Sequence, residues 1–181
     1  MSGEFWVFAY GSLMWRPGFE FAERQIAELP GLARRFCLRS IHYRGTEADP
    51  GLVLALAPDP AARCRGVAYR VGAAQAEETL AYLRERELVS YAYREERHPI
   101  RLDDGRQVTA LAYVLDPEHE QTVTGLSLDA QAEIIARAEG RSGTNRDYLY
   151  STREHLLDLG IEEPEIEALV PLVRRLAGDE V

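Results

Sequence analysis

Phe5-Trp6-Val7-Phe8-Ala9-Tyr10-Gly11-Ser12-Leu13-Met14-Trp15 changes character in its middle. The first six residues are aromatic, β-branched or small, a composition that packs well on a pleated sheet, and Gly11 ends the run. Glycine permits a tight turn, and without a Cβ it leaves nearby main-chain atoms open to another molecule. A strand that stops at Gly-Ser can present bare N–H groups to a carboxylate or to a developing oxyanion. An ordinary strand-to-loop connection has the same composition, so the motif by itself leaves both readings open.

Outward from this stretch the chain stays β-rich for about sixty residues, as short apolar runs between turn signals predict. Arg16-Pro17-Gly18 reads as a loop, and Leu32–Arg39 as a second strand with long cationic side chains interleaved. Ile41–Thr46 is a further loop. Pro50-Gly51 then leads into Leu52–Ala57, an apolar run that predicts a strand buried on both faces. Arg65–Val71 predicts another strand.

The period changes at Ala73. Ala73–Leu88 is rich in strong helix formers, and Ala76, Leu80 and Leu83 recur at spacings of four and three, which marks one buried face. Four residues further on, the same stripe reaches Glu87, whereas Glu77, Glu78 and Glu85 fall at its sides or opposite it. The predicted helix therefore turns one carboxylate inward, in its last turn. There the helix dipole and partial burial both disfavour the anion and raise its pKa towards a range useful for proton transfer. A glutamate simply paired with Arg86 or with an arginine of a neighbouring strand fits the same pattern.

Tyr91–Ile100 and Val108–Leu115 predict a hairpin across Asp103-Asp104-Gly105-Arg106, because Asp-Gly supplies the positive φ that a tight turn needs. The remainder reads as helical. One helix is capped by Ser127 or Asp129 and runs to Ala138, and a second is capped by Thr144 or Asn145 and ends near Gly160. A third starts at Pro164 and reaches Leu176, with Pro171 expected to bend or interrupt it. No repeat period is present.

The 181 residues suit one well-buried core, so residues 1–181 are expected to form a single domain. Acidic residues outnumber basic ones 30 to 21, for a formal net charge of -9, which opposes attraction to nucleic acid or to an anionic membrane surface. The opening Met-Ser-Gly-Glu-Phe has neither a basic nor an apolar targeting pattern, and no apolar run reaches the length of a membrane span. A cytoplasmic protein is expected. Cys37 and Cys64 stand far apart outside any CxxC pair and read as buried thiols. His42, His98, His119 and His155 lack metal-ligand spacing, so no metal is expected.

Two common chemistries lose their support. Ser12 lies outside any G-x-S-x-G elbow and the sequence places no histidine beside it, which disfavours a serine hydrolase. The chain has no lysine, which excludes a lysine-bearing phosphate loop, and it has no G-x-G-x-x-G. Tyr148, Tyr150 and Arg44 read equally as packing residues and a solvated charge.

Five motifs nevertheless occur together: Trp6–Trp15, Tyr43-Arg44-Gly45-Thr46, Gly66-Val67-Ala68-Tyr69-Arg70, Tyr82-Leu83-Arg84-Glu85-Arg86-Glu87 and Gly143-Thr144-Asn145-Arg146-Asp147-Tyr148-Leu149. In order and spacing they resemble the ChaC family of glutathione-specific γ-glutamylcyclotransferases, from about residue 5 to the last helix. The resemblance implies an α+β, γ-glutamylcyclotransferase-like fold, with a small mixed barrel-like β-sheet, flanking helices and a helical C-terminal region. It implies a cofactor-independent lyase that splits glutathione, a small-molecule substrate, into 5-oxoproline and cysteinylglycine. The family's catalytic glutamate falls on Glu87, the residue that helical phase singles out. Its γ-glutamyl-binding loop falls on Tyr10, Gly11, Ser12 and Leu13. Arg44 is a candidate partner for the glycine carboxylate of glutathione, and Tyr148 a further candidate binding residue. Ala9, where glycine is common, and Leu88-Val89-Ser90, in place of a Gly-rich segment, depart from the pattern and bear on pocket shape. A cyclotransferase for γ-glutamyl amino acids or γ-glutamylamines is the alternative within the class. A non-enzymatic regulator of cation transport is the alternative outside it.

Overall fold

A computed structural model describes residues 3–179. The elements in chain order are β1 (Phe5–Ala9), β2 (Glu23–Ser40), β3 (Gly51–Val71), α1 (Ala76–Glu87), β4 (Tyr93–Leu102), β5 (Gln107–Leu115), α2 (Leu128–Arg137), β6 (Glu139–Gly140), β7 (Gly143–Thr144), α3 (Asn145–Asp158) and α4 (Pro164–Ala177). Short 3-10 turns cover Ser12–Met14 and Ala73–Gln75. The chain divides into two compact units, residues 1–34 with 55–119 and residues 35–54 with 120–181.

Five strands close into a barrel in the order β1-β3-β2-β4-β5. β1 is antiparallel to β3, with Val7 opposite Tyr69, and parallel to β5, with Trp6 opposite Ala110 and Val7 opposite Leu111. That parallel pair closes the barrel, so β1 has a ladder on both edges. Phe5, Val7, Phe8 and Ala9 are all buried, as the apolar run predicts. Covering Val7 and Phe8 contributes roughly 1.5–3 kcal/mol per side chain. β4 and β5 form the predicted hairpin, and Gly105 takes φ 92° in the turn, with its N–H donating to Leu102 O at 2.9 Å.

The sequence predicts separate strands at 52–57 and 65–71, but β3 is one strand of 21 residues. Pro58 and Pro60 are exposed and do not end it. The residue before a proline is itself driven towards extended backbone, so Pro58-Asp59-Pro60 continues a strand wherever no ladder needs the missing N–H. β2 likewise extends well beyond the predicted Leu32–Arg39.

In the second unit α2 packs against α3 and α4. Ser127 caps α2 by accepting from Ala130 N at 3.1 Å, and Thr144 caps α3 by accepting from Asp147 N at 3.2 Å, which decides between the alternative caps. Residues 139–144, predicted as a helix end and a loop, form the two-stranded β6–β7 hairpin. α4 runs unbroken through Pro171, which stands on its exposed side while Ile166, Leu169, Val170 and Val173 are buried. Packing of that apolar face outweighs one lost helical hydrogen bond.

Asn145 ties α3 to β3. It is fully buried, its Oδ1 accepts from Leu52 N at 2.7 Å, and its Nδ2 donates to Leu52 O at 2.8 Å. The side-chain amide thus serves one residue of β3 as a neighbouring strand would. Asn145→Ala leaves both Leu52 groups without these partners at about 1–3 kcal/mol each. A loss of several kcal/mol, read from a lower urea midpoint, is the expected outcome; an unchanged midpoint contradicts it.

Candidate active site

The first unit holds Tyr10, Gly11, Ser12, Leu13 and Glu87. β1 stops at Ala9, and the following loop folds back through Met14 N to Gly11 O at 2.8 Å and Arg16 N to Ser12 O at 2.7 Å. Two long-range side chains fix it. Arg34, buried in β2, donates from Nε to Tyr10 O at 2.6 Å and from Nη2 to Arg65 O at 2.6 Å. Tyr69 on β3 donates its hydroxyl to Met14 O at 2.7 Å. Tyr10, Leu13 and Met14 are buried, whereas a Cβ added to Gly11 would meet nothing within 4 Å. Packing does not require a glycine there, and its absent side chain leaves an open approach to the loop. The N–H groups of Ser12 and Leu13 start a turn, where no preceding turn supplies an acceptor.

Glu87 is the last residue of α1, with Ala76, Thr79, Leu80 and Leu83 buried along the helix before it. Its side chain is 16 % exposed, while Glu77, Glu78 and Glu85 are exposed. The helical phase therefore places the inward carboxylate correctly. Burial pushes the Glu87 carboxyl above the usual carboxylate range, and the Arg86 guanidinium, with Nε 3.4 Å from Oε1, opposes that shift without reversing it. The expected pairing with Arg86 and the expected raised pKa coexist, because loss of solvent around the carboxylate outweighs one ion pair.

Arg86 joins the two halves of this arrangement. Its Nη2 donates to Ser12 Oγ at 2.8 Å, and its Nη1 donates to Arg16 O at 2.8 Å and to Tyr82 Oη at 3.0 Å. A single guanidinium thus fastens the loop to the end of α1. On the barrel, Tyr113 is buried and donates to Glu95 Oε2 at 3.2 Å. Burial first, and then the Glu95 and Glu87 carboxylates, hold its hydroxyl far above the ordinary tyrosine range. Glu95 is itself paired to Arg84 through two hydrogen bonds at 2.8 and 2.9 Å.

The remaining candidates, Arg44 and Tyr148, belong to the second unit. The Arg44 guanidinium lies 5.6 Å from the centre of the Tyr148 ring and donates from Nη1 to Thr144 O at 3.2 Å. Tyr148 accepts from Leu54 N at 3.2 Å and meets Phe36 edge to face. The β6–β7 hairpin is bonded to the Arg44 loop through Arg141 N to His42 O and Ser142 N to Tyr43 O, both at 2.9 Å. The second and fifth sequence motifs therefore form one cluster.

Sequence reasoning gave no role to Arg34 or Tyr113, met Tyr69 only inside a motif, and met Arg86 only inside a motif and as a partner for Glu87. Arginines on β-strands and helices read as surface charges, and carbonyl acceptors so distant in the chain leave no local signal. Among the described residues, no group of three or more His, Cys, Asp or Glu side chains is placed to hold a metal, and no helix is long and apolar enough to cross a membrane.

The raised pKa has a consequence for stability. Below the unfolded-state value near 4.5 the carboxyl is neutral in both states; as pH rises towards the folded-state value the folded protein must either keep the proton or bury the charge, and stability falls. Glu87→Gln removes that dependence. Thermal melting should show the variant gaining on the wild type between pH 4 and pH 7, and a gap that narrows with rising pH contradicts the assignment.

Comparison with known proteins identifies the family. Residues 5–176 match the ChaC family, whose members are described as ChaC-like proteins. The chain is 38% identical over 177 residues to the glutathione-specific γ-glutamylcyclotransferase of Escherichia coli (strain K12), covering 98% of this chain and 76% of that one. It is 32% identical over 181 residues to a protein of the same name from Schizosaccharomyces pombe (strain 972 / ATCC 24843), covering 91% and 88%. The crystal structure of a yeast γ-glutamyl cyclotransferase specific to glutathione superposes with a TM-score of 0.84 at 25% identity, over 96% of this chain and 99% of that one. The mixed barrel with helices is thus the γ-glutamylcyclotransferase fold, and with a match that spans both compact units the chain belongs to the ChaC-like family.

Proposed function

We propose that this protein is a glutathione-specific γ-glutamylcyclotransferase, with Glu87 as its acid–base residue. Family membership and the names of its relatives support the reaction class. The observation that carries the residue assignment is the Glu87 carboxyl, sheltered from water, raised in pKa and fastened through Arg86 to the Ser12 loop.

The reaction needs no nucleophile from the protein. The α-amine of the γ-glutamyl group attacks its own γ-amide carbonyl, a five-membered ring closes, the C–N bond to cysteine breaks, and 5-oxoproline and cysteinylglycine result. Proximity is built into the substrate. The protein must take a proton from the amine, stabilise the oxyanion and return a proton to the leaving nitrogen. A carboxyl with a raised pKa serves as base in the first step and as acid in the last. The N–H groups of Gly11, Ser12 and Leu13 are suited to a carboxylate or oxyanion, with Tyr10 and Leu13 shaping the loop. In this reading Arg44, backed by the Tyr148 ring, holds the glycine carboxylate.

Glu87→Gln should fold and lose at least about a hundredfold in turnover of glutathione, the lower range for general acid–base catalysis, while Glu85→Gln keeps wild-type rates. Near-normal 5-oxoproline release from Glu87→Gln sinks the assignment, and faster release from γ-glutamyl-alanine than from glutathione transfers the substrate to the γ-glutamyl amino acids. A protein that releases none, yet binds a macromolecular partner whether or not Glu87 is present, is the regulator instead. Arg44→Gln should raise KM for glutathione about tenfold or more, one charge-assisted hydrogen bond, with kcat little changed. An unchanged KM removes Arg44 from the binding site.

A further inference from the structure

Arg86 has more partners than a surface ion pair requires. Its Nη1 is shared between Arg16 O and Tyr82 Oη, its Nη2 is spent on Ser12 Oγ, and its Nε faces Glu87 Oε1. Three of these four acceptors are neutral, so the guanidinium is held by the loop and by its own helix, independently of the charge on Glu87. The side chain is 25% exposed. A planar fork with donors in fixed directions can satisfy this set, whereas an ammonium on a flexible stem cannot.

The bond to Ser12 also sets a polarity. A hydroxyl has one proton to give, and one that accepts from a cation is biased to point that proton elsewhere. With Arg86 donating to Ser12 Oγ, the hydroxyl keeps its own proton for a second acceptor. We infer that Arg86 is a positioning residue of the cyclotransferase reaction: it orients Ser12 as a donor to an anionic or carbonyl oxygen of the γ-glutamyl group and keeps a fixed cation beside the Glu87 carboxyl. This rests on the function proposed above.

Arg86, on its own helix, has its Nε 3.4 Å from Glu87 Oε1, and the Glu87 charge is also felt by Tyr113 on β5, whose hydroxyl is bonded to Glu95 on β4. Tyr113 stays protonated across the working range, so Arg86 is the cation whose removal changes the charge next to Glu87. Loss of that cation favours the protonated carboxyl further and moves the acid limb of the kcat/KM profile to higher pH.

The experiment measures 5-oxoproline release from glutathione against pH for the wild type, Glu87→Gln, Arg86→Gln, Arg86→Lys, Ser12→Ala and the Arg86→Gln/Ser12→Ala pair. Arg86→Gln is expected to lower kcat/KM by about tenfold to a hundredfold, the worth of one charge-assisted hydrogen bond, and to shift the acid limb upward. Arg86→Lys, which retains the charge and the aliphatic stem and guards against a folding defect, should restore the limb but not the full kcat/KM. At a pH above the acid limb, where the charge beside Glu87 no longer sets the rate, the double variant should be little worse than the more damaged single one, because both changes break the same contact. An unchanged pH profile in Arg86→Gln, or losses that multiply in the double variant, overturns the inference while leaving the function standing. A wild type without turnover, or a fully active Glu87→Gln, overturns the function and the inference together.

Discussion

β1 is only five residues long, yet two ladders meet on it, antiparallel to β3 and parallel to β5. Closure of the barrel depends on that double pairing, since without it the sheet would keep two open edges. The constraint also acts on the residues just past the strand. β1 is buried almost throughout, so its last residue fixes where the chain emerges, and Tyr10-Gly11-Ser12-Leu13 starts from a point that cannot drift. Arg34 and Tyr69, both on neighbouring barrel strands, then bind the carbonyls of Tyr10 and Met14 at the two ends of the loop. A rigid scaffold carrying a bonded but open loop is what a preorganised binding site needs.

Electrostatics at the end of α1 come from competition between burial and charge. Glu87 loses solvent as the helix packs, and that cost exceeds what a nearby guanidinium returns. Glu95, more exposed and bonded twice to Arg84, goes the other way and is held below the usual carboxylate range. Two glutamates of the same unit, each with an arginine close by, thus have opposite shifts. The difference lies in burial, which is deeper at Glu87, and in hydrogen-bond geometry: Arg84 meets Glu95 through two short bonds, whereas Arg86 spends its hydrogen bonds on the loop and Tyr82. Environments that push carboxylates apart in this way let one remain an anion while another is available to exchange a proton.

The second unit is built on another principle, in which side chains stand in for backbone. Asn145 completes the hydrogen bonding of Leu52, and Tyr148 accepts from Leu54 N two residues along the same strand. The two contacts fasten α3 to β3 through N–H groups on the same edge of the strand. Because Arg44 stacks near Tyr148 and bonds Thr144, the same helix start that secures the strand also places the arginine.

Much of this was written locally. Apolar runs between turn signals announce the strands, Asp-Gly announces the hairpin, and the spacing of Ala76, Leu80 and Leu83 turns Glu87 inward, because these signals reside in neighbours a few residues apart. Pro171 misled, since it is judged by what a missing N–H usually costs, and in this fold the burial of the apolar face of α4 outweighs that cost. Barrel closure, the union of β3 into one strand, and the roles of Arg34, Asn145 and Arg86 were decided only in three dimensions. Each joins a side chain or a strand to groups tens of residues away, and no local pattern records which carbonyl or hydroxyl a long side chain will reach. The sequence by itself determined which carboxylate faces inward; tertiary packing decided how dry it is, what charge stands beside it, and that a serine loop is tied to it.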